Sequence, residues 1–146
     1  MNTRSPFAFF LFAMALLFAQ NTWAQKQDNW TQEQLLEPAQ LASQIQSGKN
    51  LPLIFSIGPG ALIRHSVDIG SVDDAENLLQ FQQQLKTLPK NTSIVVYCGC
   101  CPFAHCPNIR PAIQALKENK FTNYKLLNLN QNLKTDWLDK GYPINP

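Results

Sequence analysis

Ser93-Ile94-Val95-Val96-Tyr97-Cys98-Gly99-Cys100-Cys101-Pro102-Phe103-Ala104-His105-Cys106-Pro107-Asn108-Ile109-Arg110-Pro111 is the stretch from which the rest of the chain is read. Residues 93–97 form a short run rich in β-branched residues, the pattern of a strand buried on both faces of a parallel sheet. From Ile109 onward the spacing changes, and Ile109, Ala112, Ile113 and Leu116 fall on one face of a helix. The loop between holds all four cysteines of the chain. Open α/β sheets place their chemistry in strand-to-helix loops of this kind, at the carboxyl ends of parallel strands. The helix N-terminus behind such a loop offers free N–H groups and positive potential, which favour thiolates and bound anions.

Working outward, strands and helices alternate. Pro38 suits the first turn of a helix that carries Leu41 and Ile45 and closes at Ser47-Gly48. Leu53 to Ile57 reads as a strand stopped by Gly58-Pro59-Gly60, and Ser66-Val67-Asp68-Ile69 as a short strand ended by Gly70. Leu78, Phe81, Leu85 and Leu88 line a second helix, halted by Pro89. After the cysteine loop and its helix comes the strand Tyr124-Lys125-Leu126-Leu127, and Leu133 and Trp137 define a last short helix. Such alternation predicts βαβ units: a three-layer α/β fold with a mainly parallel sheet flanked by helices. Trp137, Leu133 and Ile113 are assigned to its core, and His65 to a turn.

The first residues have the form of a secretory signal. Arg4 gives a positive start, Phe7 to Ala19 an apolar centre, and Gln20 to Ala24 a mostly polar stretch ending in a small residue. The expectation is cleavage after Ala24, a flexible lead-in over residues 25–34, a domain over residues 35–146, and a periplasmic or extracellular location. The apolar run is shorter than the roughly 20 residues that span a bilayer, so no stable membrane span is expected after cleavage. No cysteine near Ala24 supports a lipid anchor. The chain has 146 residues with 12 basic and 10 acidic ones, and Arg4 is the only charge in residues 1–24. That near-balance gives no reason to expect a nucleic-acid partner.

In an oxidising compartment four cysteines are by default two disulfides. Stabilising disulfides, however, close long loops between distant segments. These four, all within residues 98–106, would staple one loop to itself. Clustering favours thiol chemistry or metal binding. Cys98 and Cys101 form a C-x-x-C pair. Cys100 and Cys101 are neighbours whose mutual disulfide would be strained, so each pairs elsewhere or ligates. Cys106 is expected at the helix N-cap, where its pKa would fall. Cys98, Cys100, Cys101, His105 and Cys106 are the alternative ligand set for a soft metal ion, although their spacing lacks the two separated pairs of ordinary zinc modules. Otherwise no cofactor is expected.

Several local sequences resemble the rhodanese homology domain. Leu88-Pro89-Lys90 followed by Ile94-Val95-Val96-Tyr97-Cys98 is similar to that family's central strand and active-site cysteine. Ala112 to Phe121 resembles the helix and turn that follow, and Leu126-Leu127, Asp136-Trp137 and Lys140-Gly141-Tyr142-Pro143-Ile144 its ending. Ile63 to Ile69 resembles a diverged Ile-Pro-Gly-Ala-Ile-Asn-Ile segment. The resemblance spans most of residues 36–144 and is specific in the second half. It implies a sulfurtransferase. Cys98, as nucleophile, would accept sulfane sulfur from a donor such as thiosulfate, carry it as a persulfide, and pass it to a thiol or cyanide-like acceptor. Gly99, Cys100, Asn108 and Arg110 would bind the donor, with loop N–H groups cradling its charge.

Three departures stand out. The family's Asp-Val-Arg at the end of the first strand is Ser56-Ile57-Gly58 here. The stretch from Cys98 to Phe121 is longer than usual. The loop also carries three further cysteines, so Cys101 and Cys106 are alternative nucleophiles or resolving thiols. An exported thiol–disulfide relay with a redox protein partner, or a metal-binding module on the same scaffold, therefore stands beside the transferase reading.

Overall fold

The computed structural model describes residues 30–146; the signal segment and residues 25–29 of the lead-in lie outside them. A 3₁₀ turn at Gln32–Gln34 leads into β1 (Leu35–Leu36) and then α1 (Pro38–Ser47). There follow β2 (Leu53–Ser56), β3 (Ser66–Asp68), α2 (Ala75–Lys86), β4 (Ile94–Tyr97), α3 (Ile109–Glu118) and β5 (Tyr124–Leu127). The five strands form one sheet in the order β1-β5-β4-β2-β3, every neighbouring pair parallel.

Side-chain alternation along β4 divides the core, because successive residues of a strand face opposite sides. Ile94, Val96 and Cys98 join Phe55, Ile57, Phe81, Leu85, Ile109 and Leu116 on the face covered by α2 and α3. Val95 and Tyr97 join Ile54, Leu41, Ile45, Leu127, Leu133 and Trp137 on the face covered by α1 and the chain after β5. This is the three-layer arrangement expected from the alternating pattern. Ile113, Leu133 and Trp137 are all buried.

Two elements differ from the sequence reading. Leu35-Leu36, with no strand assigned from sequence, pairs with Leu126 and Leu127 at one sheet edge. Two residues are too few to display a period, yet one leucine packs into each half of the core. The expected last helix is a single π-type turn at Lys134–Leu138. It still buries Trp137, whose indole N–H donates to the Pro143 carbonyl at 3.0 Å. An antiparallel bridge between Ile63 and Ile144 ties the chain's end to the segment after β2. His65 lies in the turn beside it, exposed, its N–H donating to Asn145 Oδ1 at 3.0 Å.

The strand order has a functional consequence. From β2 the chain moves outward to β3 at one edge, and from β4 it moves the opposite way to β5. The loops leaving the adjacent carboxyl ends of β2 and β4 therefore diverge, which makes the crevice where α/β sheets bind ligands. Gly58 leaves one of these strands and Cys98 the other.

Candidate functional site

Cys98 is the first residue beyond β4 and continues its alternation, so its side chain turns toward the α3 side, with only 1% of the residue exposed. The loop then folds back over the sheet. The Leu133 N–H donates to the Gly99 carbonyl at 3.0 Å, and the Phe103 N–H to the Leu129 carbonyl at 3.0 Å. A 3₁₀ turn at Phe103–His105 takes up the additional length and delivers Cys106 back to the interior. Gly99 lies so close to Leu133 that a Cβ there would stand 3.0 Å from the leucine Cβ.

This path brings together the four cysteines, whose sulfurs all lie within 4.8 Å of one another. None is in a disulfide. The Cys98 and Cys100 sulfurs are 3.4 Å apart and those of Cys100 and Cys101 3.3 Å. Cys98 and Cys106 are buried, Cys101 is half-buried and Cys100 is exposed. His105 ends the 3₁₀ turn, exposed and outside this group. Arg110 is exposed on the first turn of α3.

Cys106 is not at the helix N-cap. Asn108 holds that position and α3 begins at Ile109, because residues 107 and 108 form a turn in which the Ile109 N–H reaches the Cys106 carbonyl at 3.4 Å. Nor is the Cys106 pKa lowered. It is raised, first by the hydrogen bond that its thiol gives to Cys98 and then by burial. Asn108 in turn does not cap the helix with its side chain. That amide is turned inward, donating to the Cys98 sulfur at 3.4 Å and accepting from the Asp73 N–H at 2.9 Å. Asn108 is buried, and its contact with the Cys98 sulfur is made away from water.

The consequence falls on Cys98. Its thiol pKa is lowered to about 5, chiefly by the Cys106 hydrogen bond. Burial opposes the shift, while the Cys100 N–H, the Asn108 amide and the Cys100 thiol add to it. Among the thiols that shift, Cys98 is thus the one favoured as a thiolate, with hydrogen-bond donors gathered around its sulfur. Cys100 is pushed the other way, to about 12, by burial first and by the neighbouring sulfurs of Cys101 and Cys98. The amides of Phe103, His105, Cys106 and Ile109 donate to backbone carbonyls, while the Cys100 N–H acts on the Cys98 sulfur and the Asn108 N–H on the Cys106 sulfur.

The residues at the end of β2 pack against the cysteine loop. Ser56 is buried, and its hydroxyl donates to the Gly60 carbonyl at 2.7 Å, closing the turn. Ile57 enters the core. Gly58 faces Cys98 directly, since a Cβ at that position would stand 2.5 Å from the sulfur. The Ser56-Ile57-Gly58 departure is legible in sequence, but its result, room for a sulfur, appears only when the two loops meet.

The thiol set also fits a soft metal ion. A tetrahedral zinc ion with bonds of about 2.3 Å to sulfur holds its ligands roughly 3.8 Å apart. The observed separations, from 3.3 Å up to 4.8 Å, bracket that spacing. The cluster is therefore a candidate metal centre of four sulfurs without His105. No helix among the described residues is long and apolar enough to cross a membrane.

No protein-family model matches the chain, and no curated protein does. Solved structures do. A protein from Lactobacillus plantarum matches with a TM-score of 0.56 at 10% identity, over 95% of this chain and 97% of its own. The single-domain sulfurtransferase RDL2 of Saccharomyces cerevisiae matches with a TM-score of 0.53 at 13% identity, over 77% of this chain and 95% of its own. EanB, in complex with hercynine, matches with a TM-score of 0.52 at 16% identity, over 75% of this chain. The match spans 27% of the EanB chain. Likeness at these identities is likeness of fold. The chain has a rhodanese-like α/β architecture, with a cluster of four cysteines where its central strand ends.

Proposed function

We propose that this chain is an exported thiol–disulfide exchange protein on a rhodanese-like scaffold, with Cys98 as the attacking thiolate and a neighbouring loop cysteine as the resolving thiol. The observation that carries this reading is the gathering of four sulfurs within 4.8 Å, with the pKa of Cys98 lowered by its neighbours. Exchange needs a thiolate to attack and a second thiol within reach to release the bound partner. Cys98 attacks a disulfide, forms a mixed disulfide and expels one thiolate. The resolving thiol then attacks Cys98, expels the second thiol and leaves an internal disulfide.

A second reading has its own support. Cys98 ends the central strand and receives the Asn108 amide, the arrangement that would favour attack on a sulfane-sulfur donor such as thiosulfate and transfer to a thiol or cyanide-like acceptor. In that reaction Gly99, Cys100, Asn108 and Arg110 border the donor. Both readings begin with the same sulfur.

The test of the first is to mix reduced protein with glutathione disulfide and follow its intact mass. The expected result is loss of two hydrogens from the protein, with no lasting glutathione adduct. The Cys98→Ser variant should show no fast exchange. Exchange by Cys98→Ser at the rate of the unaltered protein would overturn the proposal.

A further inference from the structure

We propose that the loop converts sulfane sulfur instead of storing it: sulfur taken up on Cys98 leaves as hydrosulfide when Cys100 attacks Cys98, closing a Cys98–Cys100 disulfide. This rests on Cys98 being the attacking sulfur, as above, and it names the oxidising substrate as a sulfane-sulfur compound with a good leaving group, of which thiosulfate is the simplest.

The argument is positional. A persulfide endures where no thiol can reach it, and then waits for an external acceptor. Here the Cys98 sulfur has the Cys100 sulfur 3.4 Å away. A thiol held that close competes with any dissolved acceptor through its effective concentration, which for well-oriented groups far exceeds what solution supplies. The sulfurs also run in an order, from buried Cys98 to exposed Cys100. A disulfide that includes Cys100 is therefore open to an external dithiol, whereas one joining buried Cys98 to buried Cys106 is not.

The reaction balances without another oxidant. In the first step the Cys98 thiolate bonds to the outer sulfur of thiosulfate, the S–S bond of thiosulfate breaks, and sulfite leaves with the electron pair. In the second, the Cys100 sulfur bonds to Cys98, the bond from Cys98 to the transferred sulfur breaks, and that sulfur leaves with the pair and the Cys100 proton as HS⁻. The two cysteines together lose two electrons and the sulfane sulfur gains them. Further turnovers require a dithiol, small or protein-borne, to reduce the disulfide through exposed Cys100.

The experiment is a single turnover. Full-chain protein is reduced, freed of reductant and mixed with thiosulfate. Sulfite and sulfide are measured separately, and the disulfide is located by peptide mapping. Unaltered protein should release one sulfite and one sulfide per chain and carry a Cys98–Cys100 disulfide. Cys98→Ser should release neither. Cys100→Ser should still release sulfite but accumulate a persulfide on Cys98, with sulfide slowed by about tenfold or more. A stable persulfide in the unaltered protein, or sulfide release from Cys100→Ser at the unaltered rate, overturns the proposal. Glutathione disulfide exchange on the same samples separates the two ideas. Exchange that depends on Cys98 without sulfite release defeats this inference alone, and exchange that survives Cys98→Ser defeats the reading beneath it.

Discussion

Gly58 and Cys98 meet across the crevice between β2 and β4, and a Cβ on the glycine would lie 2.5 Å from the cysteine sulfur. The glycine is needed for space and not for conformation, because its φ lies outside the positive range where side chains are strained. Its neighbour is the Cys98 sulfur, so the loop after β2 sets where that sulfur can sit.

Gly58→Ala should therefore act on the thiol. Crowding a packed interior costs about 1–3 kcal/mol, and the easiest relief is to move the sulfur away from the Asn108 amide. Lower denaturant midpoints and slower alkylation of Cys98 near pH 6 are the expected outcome. Unchanged alkylation in a folded variant would show that the sulfur does not need this space.

Asn108 has two contacts that substitution can separate, a buried one to Cys98 and a part-buried one to Asp73. Asn108→Ala leaves the Asp73 N–H without its acceptor and takes one donor from the Cys98 sulfur. Losing an ordinary hydrogen bond costs about 0.5–1.5 kcal/mol, and the Cys98 pKa should rise. Asn108→Asp keeps an acceptor for Asp73 but puts a carboxylate beside the thiolate, so the pKa should rise further. Titration of thiolate absorbance in both variants checks this ordering. A Cys98 pKa unmoved in both would remove Asn108 from the site.

Sequence reading located the cysteine loop through β4 and α3, where apolar runs and helical spacing are unambiguous. It placed Cys98 correctly because the strand's alternation simply continues into the loop. It placed Cys106 wrongly because the local pattern Cys-Pro-Asn does not tell which residue precedes the first helical turn. The Leu35-Leu36 strand escaped because it consists of two residues that pair with β5 across the whole chain. The contacts that tune Cys98 come from Asn108, ten residues on, and from the loop after β2. Neither leaves a periodic signal, since each depends on how two separate loops pack.

The thiols also set a pH dependence. Cys98 has its pKa lowered to about 5, from an ordinary value of about 8.5. Its contribution to stability is full above the ordinary value and is lost as pH falls through about 5. Cys100 is pushed up to about 12 and Cys106 is also raised. Their contributions are full below the ordinary value and are lost as pH rises above it. Together the three predict greatest stability near pH 8–9, roughly at the unperturbed thiol pKa, and alkylation of Cys98 that stays rapid down to about pH 5. Urea midpoints and alkylation rates across pH 4–11 test both. The sign would be wrong if stability rose steadily on acidification from pH 9 to pH 5.

Export is tested at the N-terminus. Arg4, the apolar run from Phe7 and the small Ala24 predict that exported protein begins at Gln25. Sequencing the mature protein decides it, and protein that remains inside the cell and still begins at Met1 would rule it out.

Metal binding and thiol attack should compete, because both require the same sulfur as a thiolate. A soft ion bound by Cys98, Cys100, Cys101 and Cys106 would draw off the remaining thiol protons, so affinity should rise with pH. Zn²⁺ added to reduced protein should bind once per chain and block alkylation of Cys98. His105→Ala should leave this binding unchanged, since that side chain lies outside the sulfur cluster. Each Cys→Ser variant should weaken it, and Cys98→Ser most, because the Cys98 pKa is lowered and its sulfur is held by Asn108. Competition against a chromophoric chelator gives the affinities. If Zn²⁺ binds one per chain in Cys98→Ser as tightly as in the unaltered protein, or if His105→Ala abolishes binding, the ion is held elsewhere and the four sulfurs serve thiol chemistry alone.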